Sequence, residues 1–191
     1  MLMPAFNASQ LSPNTNTNTN TPHPDEFHYN GVNILSLASN KISSTGATIV
    51  AASIAASSCT LTDLNLSYNT IIGSGAAELG NALNVNSTIT NLDLSVNRLG
   101  CTGGVPIGAS FANNKTLLYL NLEQNNISTK STFVIASNLR RNKSMKKLML
   151  KGNNLGEQGG RSMFRAIFDG VPCFAFMSGC SFAIDSTEGE P

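Results

Sequence analysis

The chain has 191 residues, 41% of them hydrophobic, with 12 basic against 11 acidic side chains and a formal net charge of +1. That length and apolar content suit one domain with a sizeable core, and the charge balance excludes the strongly basic and strongly acidic classes. No apolar run approaches the roughly 20 residues of a membrane-spanning helix. The opening "MLMPAFNASQ" lacks the basic flank and apolar stretch of a secretory signal, so the expected compartment is cytoplasmic.

Residues 1–26, including "PNTNTNTNTNTPHP", form a polar low-complexity tail that is expected to be disordered, because it holds too little apolar surface to offset the entropy of ordering. Residues 27–184 read as one repeat domain and residues 185–191 as an acidic tail. The domain opens with "VNILSLASN", which places Val32, Leu35, Leu37 and Asn40. The same pattern returns 29 residues later as Leu61, Leu64, Leu66 and Asn69, and then at steps of 28 as Ile89, Leu92, Leu94 and Asn97; Leu117, Leu120, Leu122 and Asn125; and Met145, Leu148, Leu150 and Asn153. A fixed period of this length marks a stacked-repeat architecture.

Within each copy the alternation of two predicts a short strand buried on one side. The asparagine after it predicts a turn whose backbone groups the side-chain amide satisfies, so that Asn40, Asn69, Asn97, Asn125 and Asn153 stack as a ladder. An apolar plug follows (Ile42, Ile71, Leu99, Ile127, Leu155), then a small residue (Gly46, Gly75, Gly103, Ser131, Gly159) where close packing is expected, with Thr45, Ser74 and Thr102 as predicted helix caps. Helices come next, their inner faces marked in turn by Val50 and Ile54, Leu79 and Leu83, Ile107 and Phe111, Ile135 and Leu139, and Met163 and Ile167. Two glycines and Pro106 make the third helix the weakest. Parallel strands stack about 4.8 Å apart and helices need about 10 Å, so the stack must curve with its strands on the concave side. No helix or polar cap precedes Val32, so the stack is expected to begin with an exposed edge, which means either a fragment of a longer repeat protein or a surface for self-association.

At the far end, "VPCFAFMSG" puts Val171, Phe174 and Phe176 at the leucine positions, in a register shortened by two and with Gly179 in place of the asparagine. The segment reads as a degenerate sixth strand that caps the stack, with membrane docking by Phe174, Phe176 and Phe182 as a second reading.

The remaining chemistry is sparse. Cys59, Cys101, Cys173 and Cys180 form no CxxC pair and both histidines lie in the first 28 residues, so neither a metal site nor a cofactor is expected. Six Asn-x-Ser/Thr sequences, at Asn7, Asn65, Asn86, Asn114, Asn126 and Asn142, are read as a by-product of an asparagine-rich repeat. There is no Ser/His/Asp set, no phosphate-binding "GxxxxGK[ST]" loop and no dinucleotide fingerprint, so no catalytic residue is assigned.

The pattern LxxLxLxxN, followed by an apolar residue, a glycine and a helix ending near Asn86, Asn114 or Asn142, resembles the ribonuclease-inhibitor type of leucine-rich repeat, the type also found in NOD-like receptors and Ran GTPase-activating proteins. The resemblance spans residues 32 to about 170 and implies an α/β fold: a curved solenoid with parallel strands concave and helices convex, five repeats plus the degenerate strand. It implies a non-enzymatic module that binds another protein on its concave sheet. The alternative it carries is GTPase activation on a small GTPase, although the tail "DSTEGEP" has only Asp185, Glu188 and Glu190 where those proteins bear a long acidic run.

Strand alternation assigns the partner-binding face to Asp63, Asn65 and Ser67; Asn91, Asp93 and Ser95; Tyr119, Asn121 and Glu123; and Lys147, Met149 and Lys151. Charge is unevenly spread. Residues 130–165 hold nine basic side chains and one acidic, a sum of +8, while the rest of the chain holds three basic and ten acidic, a sum of −7. The gradient from Asp63, Asp93 and Glu123 to Lys147 and Lys151 suits a protein partner with an acidic segment. Nucleic acid and anionic lipid are not favoured, on the reading that no aromatic residues interleave with the basic ones.

Overall fold

The computed structural model describes residues 31–170 and 173–180; the tails assigned to 1–26 and 185–191, Val171 and Phe182 lie outside them. Six short strands alternate with five helices: β1 (Ile34–Ser36), α1 (Ser44–Ala55), β2 (Asp63–Asn65), α2 (Gly73–Leu83), β3 (Asn91–Asp93), α3 (Gly100–Ser110), β4 (Tyr119–Asn121), α4 (Thr129–Leu139), β5 (Lys147–Met149), α5 (Gly156–Phe168) and β6 (Phe174–Phe176). The six strands among the described residues form one parallel sheet in sequence order. The register aligns Leu35, Leu64, Leu92, Leu120 and Leu148, one from each of the first five strands. A constant period leaves only this way of stacking identical inner side chains, since a one-residue slip would turn every leucine outward.

The core is a single cluster between sheet and helices. Leu64, Leu66, Ile71, Leu79 and Leu83 of one repeat lie against their counterparts in the next. The turn before each ladder position is left-handed, at Ser39, Tyr68, Val96, Gln124, Gly152 and Gly179 (φ 52–70°). That bend carries the chain from the sheet into the core, and the ladder side chains satisfy what it exposes. Asn97 Nδ2 donates to Leu66 O, Leu94 O and Ser95 O at 3.0–3.2 Å, while its Oδ1 accepts Ile71 N–H at 3.0 Å. Asn69 and Asn153 repeat the arrangement, and Asn40, in the first repeat, is exposed and bonds only locally through its amide nitrogen.

Sequence reasoning missed a second ladder, at the opposite end of the helices. Asn86, Asn114 and Asn142 are buried; their Nδ2 atoms donate to Ile54 O, Leu83 O and Phe111 O at 2.8–2.9 Å, closing off carbonyls at the end of the preceding helix. Each Oδ1 accepts the N–H groups two and three residues on. Three of the Asn-x-Ser/Thr sequences are therefore parts of this turn: the repeat pattern marks Asn86, Asn114 and Asn142 as helix ends, but not as a hydrogen-bonded ladder.

The helix starts differ from the expectation. Thr45, Ser74 and Thr102 lie inside α1, α2 and α3, and the cap residues are Ser43, Ile72, Leu99, Ser128 and Leu155. Of these, Ser128 caps with its side chain, accepting from Ser131 N–H. In "NRLGC" and "NNLGE" the turn is made instead by Gly100 and Gly156, both at left-handed φ (57° and 60°), where a side chain would be strained. This variant turn makes Leu99 and Leu155 helical and withdraws their N–H groups from the ladder: Asn125 Oδ1, which would serve Leu99, is buried without a partner. The third helix, like α2 and α4, has 11 residues. It continues through Pro106, and Gly80 of α2 makes room, since a Cβ there would lie 2.6 Å from Pro106 C.

The sixth strand corrects the expected register. Pairing sets Lys147 against Phe174, Leu148 against Ala175 and Met149 against Phe176, so the repeat is shortened by one residue and not two. Ala175 and Met177 pack against the core, and Cys180, not Gly179, takes the ladder place: its Sγ donates to Leu150 O at 3.0 Å. A thiol suffices here because the Leu155 turn is the variant kind that presents no N–H to an amide oxygen.

Candidate functional site

The outer face of the sheet consists of two rows that cross all six strands. One runs Ile34, Asp63, Asn91, Tyr119, Lys147, Phe174; the other runs Ser36, Asn65, Asp93, Asn121, Met149, Phe176. A groove of 510 Å³ lies along this face, lined from Ile34 on β1 to Met149 on β5.

Its acidic groups are held in place. Asp63 accepts from Asn91 Nδ2 on the next strand and from Thr62 Oγ1 at 2.7 Å. Asp93 accepts from Ser95 N–H at 2.8 Å and from Asn121 Nδ2 at 3.3 Å. The ion pairs among the described residues, Arg140–Asp169 and Arg161–Glu157, lie on the other side of the molecule, so both carboxylates are fixed by neutral donors and keep their charge uncompensated. Across the face, Tyr119 is 45% exposed and the Lys147 ammonium sits 5.2 Å from the centre of the Phe176 ring.

Of the twelve residues expected on this face, Asp63, Asn65, Asn91, Asp93, Asn121, Glu123, Lys147 and Met149 are half-buried, and Tyr119 and Lys151 are exposed. Ser67 and Ser95 are a correction: both are buried, since at their position the chain is already bending into the core and a hydroxymethyl group is too short to emerge, whereas Glu123 and Lys151 at the same place reach out. Ile34, Ser36, Phe174 and Phe176 were missed. Alternation about Leu35 marks the first pair, but Phe-Ala-Phe is compatible with either face until the pairing with β5 is known. Phe174 and Phe176, expected inside, are 77% and 47% exposed.

The basic residues of 130–165 divide between two faces. Lys147 and Lys151 belong to the sheet side, while Lys130, Arg161 and Arg165 stand on helices and Arg140, Arg141, Lys143 and Lys146 follow α4. Phe133 and Phe164 interleave with them, contrary to the expectation of a run without aromatics.

The four cysteines are free thiols. Burial pushes Cys173 up to about 11, opposed by its backbone hydrogen bond at Leu148 and by the charge of Lys146. Burial also raises Cys180, against backbone hydrogen bonds at Asn153 and Gly152, which keeps it protonated as the donor to Leu150 O. No group of three or more His, Cys, Asp or Glu among the described residues could hold a metal ion, and no described helix is long and apolar enough to cross a membrane.

A family model described as Leucine Rich repeat matches residues 57–80 and 113–131, each stretch containing a strand, its ladder asparagine and the start of the following helix. No curated protein matches the chain. With one six-stranded parallel sheet alternating with five helices, the fold is an α/β leucine-rich repeat solenoid.

Proposed function

We propose that this leucine-rich repeat solenoid is a non-enzymatic module of the ribonuclease-inhibitor type that binds a protein partner on the outer face of its sheet. Leucine-rich repeats in general mediate protein–protein interaction. The observation that carries the reading is the face itself: immobilised, uncompensated Asp63 and Asp93 at one end, Lys147 at the other, and an exposed tyrosine between them over a 510 Å³ groove. Charged groups fixed in advance lose little entropy on binding, and an aromatic anchor near the centre of a face is a common hot spot. The polarity suits a segment with basic side chains over β2 and β3 and an acidic stretch over Lys147 and Lys151, and the ring of Phe176 helps to aim the first of these. The free thiols support a cytoplasmic setting. The apolar edge at Val32 and Ile34 supports self-association as a lesser contact.

The test is affinity capture with the full chain. Tyr119→Ala, which leaves the core untouched, is expected to weaken capture by about 2 kcal/mol, roughly thirtyfold, and Lys147→Glu with Lys151→Glu to abolish it. Capture unchanged by all three substitutions would move the site off the sheet.

A further inference from the structure

The helical side of the molecule is not uniform. Helices α1, α2 and α3 carry one charged residue between them, Glu78, and their exposed positions are otherwise small or uncharged, such as Thr48, Ala52, Ser74, Asn81 and Ala109. Helices α4 and α5 expose Lys130, Phe133, Arg161, Arg165 and Phe168, and the segment that follows α4 adds Arg140, Arg141, Lys143 and Lys146, all exposed. The 28-residue period places Phe133 beside Arg161 and Arg140 beside Phe168. The Arg140–Asp169 ion pair shows the second of these neighbourhoods directly. Glu157 and Asp169 neutralise Arg161 and Arg140, but Arg141, Lys143 and Arg165 have no acidic partner among the described residues.

Two features of this patch go together. Its positive charge is uncompensated at Arg141, Lys143 and Arg165, and its phenylalanines stand out from it: Phe168 is 85% exposed and Phe133 54%. An acidic protein surface would use the charge but has no need of protruding rings. A nucleic-acid strand would use both, yet it is tracked by a groove with rings lining it. Here the rings stand on the outward ridges of two packed helices. A ridge of basic and aromatic side chains matches a flat anionic surface that rings can enter, in which the charges meet headgroup phosphates and the phenylalanines reach the interfacial layer.

We propose that the outward face of α4 and α5, with the segment joining α4 to β5, docks on an anionic phospholipid surface through Arg141, Lys143 and Arg165, with Phe133 and Phe168 entering the interface. The sheet lies on the opposite side of the solenoid from these helices, so docking leaves the proposed partner face turned away from the bilayer and free. The two activities are separable, and this one does not depend on what the sheet binds.

The experiment is co-sedimentation of the full chain with vesicles of phosphatidylcholine containing about 30% phosphatidylserine, against vesicles of phosphatidylcholine alone. The chain sediments with the anionic vesicles only, and loses that binding as salt rises from about 50 to about 500 mM. Arg141→Glu with Lys143→Glu lowers partitioning by at least about tenfold. Phe133→Ser with Phe168→Ser lowers it several-fold while the salt dependence persists, and unchanged thermal melts show that neither pair acts by unfolding. Absence of binding to anionic vesicles, equal binding to neutral ones, or indifference to the charge reversal overturns the proposal. So does a single-stranded RNA that displaces the chain from the vesicles, which would assign the patch to nucleic acid.

Discussion

The contact between α2 and α3 and the contact between α4 and α5 are built from the same repeat in different ways. In the first, backbone meets backbone at Gly80, where a Cβ would lie 2.6 Å from Pro106 C and 2.7 Å from Ile107 N. In the second, the closest atoms are side-chain atoms, since a Cβ on Gly159 would lie 2.9 Å from Thr132 Cβ. The outward surfaces differ in step, nearly uncharged over α1 to α3 and basic with aromatic rings over α4 and α5. The repeat thus prescribes the leucines and asparagines that hold neighbours together and leaves the helical seams and surfaces free to diverge. That freedom is what lets one end of the solenoid acquire its own charge.

The seams can be told apart by adding a methyl group. Gly80→Ala must push two backbones apart and is expected to destabilise by about 2–3 kcal/mol. At Gly159→Ala the threonine side chain can yield and alanine's helix propensity offsets part of the strain, so a change below about 1 kcal/mol is expected. Urea unfolding of the two variants measures the difference, and equal losses would show that the seams are alike.

The ladders of the two halves separate next. Asn97 uses both ends of its amide, so Asn97→Cys strands the buried N–H of Ile71 and is expected to cost about 2 kcal/mol. Asn125 already has an idle Oδ1, and Asn125→Cys reproduces what Cys180 does one turn of the solenoid on from Asn153, so its cost is expected to be lower by about 1 kcal/mol. If the two variants melt alike, the variant turn at Gly100 does not relieve the ladder.

The smallest expected effect lies at the C-terminal end and appears on raising pH. Cys173 is held protonated, its pKa raised from 9.0 to about 11 by burial, so the folded state keeps a proton that the unfolded chain gives up sooner. Its contribution is complete below about pH 9 and declines as pH rises toward 11. The loss of melting temperature across that window should be shallower in Cys173→Ala than in the unaltered chain. Parallel slopes would mean that the thiol is more accessible than its burial indicates.

Constant spacing was enough to make five of the six strands legible, because identical residues at a fixed period can bury one another in only one register. It also singled out the acidic-to-basic trend along the outer face, since strand alternation needs no neighbour to be interpreted. The helix caps were misplaced because serine, threonine and glycine all serve at such turns, and whether Ser128 caps or Gly100 bends goes with where the left-handed residue falls, at Asn126 in one repeat and at Gly100 itself in the other. Ser67 and Ser95 were misjudged because alternation continues on paper after the strand has ended in space.

The periodic leucines and asparagines by themselves determined the solenoid, the order of its strands and the direction of its buried face, all consequences of local alternation and of repetition. Only the tertiary structure decided which way Phe174 and Phe176 point, that Cys180 closes the ladder, and that the basic residues of one segment serve two opposite faces. The physical reason is common to all three. Each depends on which carbonyl, strand or helix of the preceding repeat lies alongside, and a side chain's partner about 28 residues away is set by stacking, not by its own neighbours in the chain.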